Sequence, residues 1–446
     1  MIKKFAVPRG TSDILPETIT FWEELESKAR KICKSYGYRE IRTPVYEDIN
    51  LFKRSLGQTS DVVNKQLLSV GAITNKPTVG AIINRPNSTE NADTSLQETS
   101  YALRPEGTAS VVRSYLENSF DGRENLSKFF YIGPMFRAER PQKGRLRQFH
   151  QIGVEAIGPN STSPFLDAEM MALAIYLLKE LGVKNPQLKI NSLGSKEDKI
   201  TISNWLRGEF EKHKDELCED CQARYERNVF RVLDCKKENC RKLVQGLVKN
   251  LPLSAQSQDY FNQVQSALTS VGISFEVSPH LVRGLDYYTH TVFEITAEGL
   301  GSQDAVGAGG RYNGLVHELG GNEKVEYGAI GFALGIERIL LAKGPGVSVS
   351  GGIDAYVIAM DAEYQPKAFV IAQQLRQAGI VADLSFAGGS MKSQMGRANK
   401  AQARFALILG EDEIKNQSVS LKDMQLSQQE NIPQSKIVDE IKKKLS

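Results

Sequence analysis

Apolar residues recur at helical spacing over residues 16–36, a run entered through Pro16. From Tyr38 the segment YREIRTPVYE alternates as a strand, and Pro44 confines it to an edge or an interface. Residues 70–98 break the pattern: Asn, Thr, Ser and Pro surround short Val/Ile pieces, which predicts a long hairpin or mobile loop. Residues 127–158 predict two strands around a basic loop. Residues 164–181 predict a helix with Ser163 as N-cap, Pro164 at its first position and Gly182 after its end. Residues 195–270 are more charged and mostly helical in period, which predicts an insertion. Strand and turn signals resume at 275–335 and end in a helix from about Gly331 to Ala342. The Gly/Ser-rich GPGVSVSGG, residues 344–352, is the best domain boundary. Beyond it, AYVIAM, a helix through QQLRQAG, VADLSF, a basic helix and FALILG alternate as a small α/β domain. No internal repeat is visible.

The chain has 446 residues, which at roughly 100–200 per domain predicts two to four domains. A net charge of +3 is too weak to diagnose a nucleic-acid partner, and it excludes none. No apolar run reaches the ~18 residues of a membrane-spanning helix. The basic start MIKKFAVPRGTSD lacks a signal-peptide apolar stretch, and five cysteines argue against a disulfide framework. These features predict a cytoplasmic protein without a membrane partner.

Candidate chemistry concentrates where strands carry the wrong residues for a core. RGLDYYTHTVFE, residues 283–294, holds an arginine, an aspartate, two tyrosines and a histidine with almost no aliphatics. Burying so many hydrogen-bonding groups is costly unless they have partners, and a cleft for a polar ligand supplies them. In FFYIGPMFRAERPQKGRLRQFHQIGVEAIG, residues 129–158, strand period puts Arg137 and Glu139 on one face of the first strand. It puts Phe149, Gln151, Gly153 and Glu155 on one face of the second, with Ile152, Val154 and Ala156 opposite. A solvated polar face is the alternative reading. Arg137, Arg140, Lys143, Arg145 and Arg147 crowd the turn at Gly144, a cluster that repels itself unless anions bind. ALRPEGTAS, residues 102–110, reads as a Pro/Gly turn with charges. Glycines 307, 309 and 310 permit close backbone approach or a tight hairpin turn. Arg338, amid Phe332, Leu334, Ile336, Ile339 and Leu340, sits at a rim or faces an anion. No Gly-Lys-Ser/Thr phosphate loop or dinucleotide fingerprint is present. Cys218, Cys221, Cys235 and Cys240 have the spacing of a four-thiolate structural zinc site, with reduced thiols in a helical insertion as the alternative; no metal ligand is assigned.

Residues 129–158 resemble motif 2 of class II aminoacyl-tRNA synthetases in its histidyl form. YREIRTPVYED resembles motif 1, YGAIGFALGIERILLA resembles motif 3, and RGLDYYTHTVFE resembles the histidyl signature segment. The resemblance implies an α+β fold: a class II antiparallel-sheet catalytic core with helices over residues 1–345, a mostly helical insertion at about 195–270, a linker at 346–352 and a C-terminal α/β anticodon-binding domain at 353–446. It implies activation of L-histidine with ATP and Mg²⁺, transfer to the 3′ end of tRNA(His), and a homodimer joined through motif 1. Glu106, Thr108 and Gln151 would bind the substrate ammonium, with Gly107 beside them in the histidine site; Glu155 and Tyr288 would flank the imidazole, and Tyr287 would line the same pocket. Arg137 and Arg283 would serve the reacting α-phosphate, with Glu139, Arg145, Phe149 and Arg338 around the rest of ATP. His290 receives no role. The departure from the family is the long segment between Asp61 and Arg104. The alternative is a synthetase-like regulatory subunit of ATP phosphoribosyltransferase, which does not charge tRNA.

Overall fold

The structure, a computed structural model, describes residues 5–57, 60, 62–72, 100–248, 251–283, 285, 287–301, 304–344, 352–386 and 388–445. The chain forms two compact units, Met1–Gly346 and Val347–Ser446.

The first unit contains β1 (Arg39–Glu40), β2 (Tyr46–Asp48), β3 (Leu68–Ala72), β4 (Ser100–Leu103), β5 (Ser127–Phe136), β6 (Gln148–Pro159), β7 (Gln187–Ser192), β8 (Phe275–Val277), β9 (Thr289–Thr296), β10 (Ala305–Arg311) and β11 (Tyr327–Gly335). Eight of them form one sheet in the order β1-β5-β6-β11-β10-β9-β7-β8. Its outermost pairs, β1–β5 and β7–β8, are parallel and the rest antiparallel. Strand alternation divides the side chains between two layers. Ile152, Val154, Ala156, Ile330, Phe332 and Phe293 face a core formed with the helices Pro16–Ser35, Pro164–Glu180 and Ala255–Ser270. Phe129, Tyr131, Met135, Ile157, Val292 and Ala329 face the other way, towards Thr108–Glu117 and the residues of the insertion. The polar positions of β6 lie on this second face. Among the described residues no helix is long and apolar enough to cross a membrane.

The second unit has β12 (Ala355–Ala359), β13 (Ala382–Leu384), β14 (Phe405–Leu409), β15 (Ser418–Asp423) and β16 (Gln429–Pro433), ordered β13-β12-β14-β15-β16. Both β13 and β14 run parallel to β12, and β15 and β16 continue antiparallel. β12 and β14 are buried at every position because apolar clusters cover both faces. The antiparallel extension and the final helix Ile437–Leu445 were not foreseen from the sequence.

Several expectations need correction. The single strand from Tyr38 is two short strands, β1 and β2, interrupted around Pro44, which offers no N–H to a ladder. Arg137 and Glu139 lie just past the end of β5 rather than on it. Gly331 to Gly335 is the end of β11, and the helix is Ile336–Lys343; pairing to β6 and β10 holds these glycines extended. Phe332 and Leu334 therefore belong to the strand. The Gly307–Gly310 run is part of β10, not a turn, and a short helix, Asn313–Glu318, follows it. The helix Ala255–Ser270, assigned to the insertion, packs in the core with Pro164–Glu180. Most of the predicted hairpin at 70–98 and most of the 344–352 linker lie outside the described residues; β3 and β4, which flank the former, pair with each other.

Candidate active site

Glycines let polar side chains lie flat on the second face of the sheet. Tyr131 opposes Gly153 across β5 and β6, and a Cβ on either Gly153 or Gly107 would overlap its ring. Glu155 opposes Gly331 across β6 and β11, and a Cβ there would overlap the carboxylate. Above this floor is a cavity of about 640 Å³.

One set of groups around it is acidic and neutral. The Glu106 carboxylate accepts the backbone N–H of Thr108 at 2.6 Å and of Ala109 at 3.0 Å, at the start of the helix Thr108–Glu117. Glu155 accepts the Thr108 hydroxyl at 2.7 Å and the Tyr312 hydroxyl at 2.5 Å. Burial pushes the Glu155 carboxyl up to about 8, against the lowering effect of those two hydroxyls. Burial also raises Glu106, partly offset by its amide donors. Tyr288 is pushed up to about 12 by burial, and its ring lies 4.6 Å from that of Tyr287. The buried Gln151 Oε1 has no partner among the described residues.

The other set is cationic. Arg137 donates from Nε to the Pro105 carbonyl at 2.9 Å, and its guanidinium stands 5.2 Å over the Phe149 ring. Glu139 lies between Arg137, at 3.8 Å, and Arg145, at 3.6 Å. Arg338 donates to the carbonyls of Gly144 at 3.0 Å and Ala305 at 2.6 Å. Arg283 pairs with Glu294 at 2.8 Å, and its buried Nε has no partner among the described residues. Burial lowers the proton affinity of Arg137 and Arg338, and the charge of Arg145 lowers that of Arg338 further.

Of the residues singled out in the sequence, Glu106, Thr108, Arg137, Glu139, Arg145, Phe149, Gln151, Arg283, Tyr287, Tyr288 and Arg338 line this cavity. Gly107 and Glu155 lie beneath it. Glu155 is only 1% exposed and already accepts two hydroxyls. Sequence reasoning missed Tyr131, Tyr312, Glu294, Asp234 and Lys236. Glu294 ends the quoted signature segment, and Tyr312 follows the glycine run. Asp234 and Lys236 come from the insertion and carry no local signal. Glu139, Glu294 and Asp304 offer carboxylate oxygens on the cavity wall, the hard donors that suit a magnesium ion carried in with phosphates. A larger cavity of about 1200 Å³ adjoins, sharing Arg283, Tyr287 and Tyr288.

An antiparallel sheet that presents arginines and buried carboxylates to one cavity, followed by a separate α/β unit, is the architecture of a class II aminoacyl-tRNA synthetase. The profile of histidyl-tRNA synthetases matches residues 92–339, and that of an anticodon binding domain matches residues 354–444. A histidine–tRNA ligase of Geobacillus sp. (strain WCH70) is 44% identical, covering 99% of this chain and all of its own. One from Halothermothrix orenii is 42% identical over 98% of each chain. The apo histidyl-tRNA synthetase of S. aureus superposes with a TM-score of 0.75 at 32% identity, covering 98% of this chain and 100% of its own. The chain belongs to the histidyl-tRNA synthetase family.

Proposed function

We propose that the protein is a histidine–tRNA ligase. A histidine carboxylate oxygen attacks the α-phosphorus of ATP, the bond to the β-phosphate breaks and pyrophosphate leaves. The terminal ribose hydroxyl of tRNA(His) then attacks the histidyl carbonyl and AMP leaves. The observation that carries this reading is the convergence of Glu106, Gln151, Arg137, Arg283 and Arg338 on one cavity.

Glu106, Thr108 and Gln151 offer acceptors to the three N–H donors of the substrate ammonium. Arg137 and Arg283 neutralise the charge growing on the α-phosphate in this reading. Phe149 offers its ring to adenine, while Arg145 and Arg338 take the outer phosphates. Glu139 and Glu294 would hold a Mg²⁺ ion, which would supply charge neutralisation for the triphosphate. Glu155 recognises the imidazole by exchanging one of its two hydroxyl donors for a ring N–H. A side chain without such a donor cannot make that exchange and forgoes the hydrogen bond.

The protein acts as a cytoplasmic homodimer in this reading. The exposed Val45 and Tyr46, beside and on β2, supply apolar surface in the motif 1 segment. In the second unit Arg404 is paired with Asp423 and Arg397 caps the Gly388 carbonyl, which leaves the exposed Lys392 and Lys400 as the better groups for tRNA phosphates. Charging of purified tRNA with labelled histidine tests the proposal. Histidine binding without tRNA charging would favour the regulatory-subunit reading and end this one.

A further inference from the structure

The insertion contains a cluster of sulfurs that the histidyl-transfer chemistry does not use. Cys218 precedes the helix Glu219–Arg227, Cys221 lies in its first turn, and Cys235 follows the short turn Val229–Val232. Cys240 lies in the first turn of Glu238–Leu247. The four Sγ atoms all lie within 4.8 Å of one another. Zinc–sulfur bonds of about 2.3 Å in a tetrahedron separate the sulfurs by about 3.8 Å; those of Cys218 and Cys235 are 3.9 Å apart. The Cys218 backbone N–H donates to Cys240 Sγ at 3.3 Å, an interaction that favours a thiolate there. All four cysteines are free, and two of them, Cys221 and Cys240, are buried. A zinc with four thiolates carries two net negative charges, and the cations Lys236, Lys237, Arg241 and Lys242 directly follow Cys235 and Cys240.

The cluster reaches the catalytic cavity through the chain. Asp234 and Lys236, on either side of Cys235, both line it. Just upstream, the Arg231 guanidinium donates to the Arg283 carbonyl at 3.2 Å, and Arg224 holds the Arg231 carbonyl at 3.1 Å. The segment that runs from the first cysteine pair through Cys235 to Lys236 is therefore both part of the cavity wall and the support of its reacting-centre arginine.

We propose that Cys218, Cys221, Cys235 and Cys240 bind one zinc ion in a closed four-thiolate site, and that this site fixes Asp234, Lys236 and the Arg231–Arg283 contact in the catalytic cavity. A closed set of four ligands leaves no position for substrate, so the role is positioning.

The test uses the full-length protein, expressed with added Zn²⁺ and purified without chelator. Elemental analysis should find one zinc per chain. Replacement by Co²⁺ should give the intense visible and near-ultraviolet absorption of a tetrahedral four-sulfur site. Cys235→Ser and Cys240→Ser should lose both signals while Cys33→Ser keeps them; should the serine variants fail to fold, the metal ratio and cobalt spectrum of the unaltered protein decide. Stripping the metal should slow histidine-dependent pyrophosphate exchange by about 10-fold or more, the size of effect seen when supports of a site are loosened, with recovery on Zn²⁺ but not Mg²⁺. Zinc far below one per chain together with no cobalt spectrum, or an intact mass showing paired disulfides, would overturn the site. Unchanged exchange in fully stripped protein would overturn the positioning role.

Discussion

Arg311 and Arg338 are both withdrawn from solvent in the same unit, yet their charges are treated in opposite ways. Arg311 is fully buried against Asp167, which takes two of its nitrogens, and Asn313 takes another. Its charge is cancelled, so it pins the end of β10 to the helix Pro164–Glu180 and has nothing left for a ligand. Arg338 instead donates to two backbone carbonyls, and Arg137 to one. A carbonyl fixes the direction of a guanidinium without neutralising it. Of the other cavity arginines, Arg137 and Arg145 share Glu139 at 3.8 and 3.6 Å, and Arg283 pairs with Glu294 at 2.8 Å, all in contacts partly open to solvent. The carboxyl groups follow the mirror rule: Glu106 and Glu155 are satisfied by amides and hydroxyls, which orient them without a paired cation. Neutral partners predominate at the groups kept ready for a ligand, with the half-buried Arg283–Glu294 pair as the exception, and a fully buried ion pair marks the arginine committed to the fold.

The sharpest way to break this contrast is at Arg283. Arg283→Ala should lower kcat for histidine-dependent pyrophosphate exchange by about 10³-fold, with KM for ATP changed far less, as expected for a group that acts on developing charge. A loss under tenfold would place Arg283 with the structural arginines. Next in size, Glu155→Gln should lower kcat/KM for histidine by about 10²-fold, because a buried amide N–H₂ faces donors it cannot accept. Phe149→Ala should raise KM for ATP by about tenfold, the scale of one lost base–aromatic stack, and leave KM for histidine unchanged.

The sequence made some of this legible and hid the rest for physical reasons. Strand period correctly separated Ile152, Val154 and Ala156 from Phe149, Gln151 and Glu155, since alternation in a sheet follows from geometry alone. It did not reveal that Glu155 lies under the floor, because that depends on Gly331 in a strand about 175 residues away in the chain. The same limit applies to Tyr312, whose partner is set by the pairing of β10 with β11, and to Asp234 and Lys236, delivered by an insertion whose fold carries no strand or helix period across the cavity wall. The helix predicted from Gly331 failed because an apolar run of that length fits either period, and only cross-strand pairing decides.

The smallest effect is the most discriminating, since it reads the neutral partners themselves. The bound state holds one proton between the substrate imidazole and Glu155. Free Glu155, pushed up to about 8, keeps its proton at neutral pH and loses it on the alkaline side. Histidine must then bind with proton uptake, so kcat/KM for histidine should fall as pH rises past about 8. Glu155→Gln should abolish that limb. The Tyr312 hydroxyl lowers the Glu155 value, so Tyr312→Phe should shift the limb upward rather than remove it. The sign follows from the hydroxyl donating to the ionised form: without it, the neutral carboxyl persists to higher pH. The same raised value has a consequence for stability. The native state holds a proton that the unfolded chain has already released above the ordinary carboxyl range, so resistance to urea should decline from about pH 4.5 towards 8, and less so in Glu155→Gln. A limb in kcat/KM that moves downward in Tyr312→Phe would mean that the tyrosine donates to the protonated acid, and that Glu155 belongs with Asp167 among the committed groups.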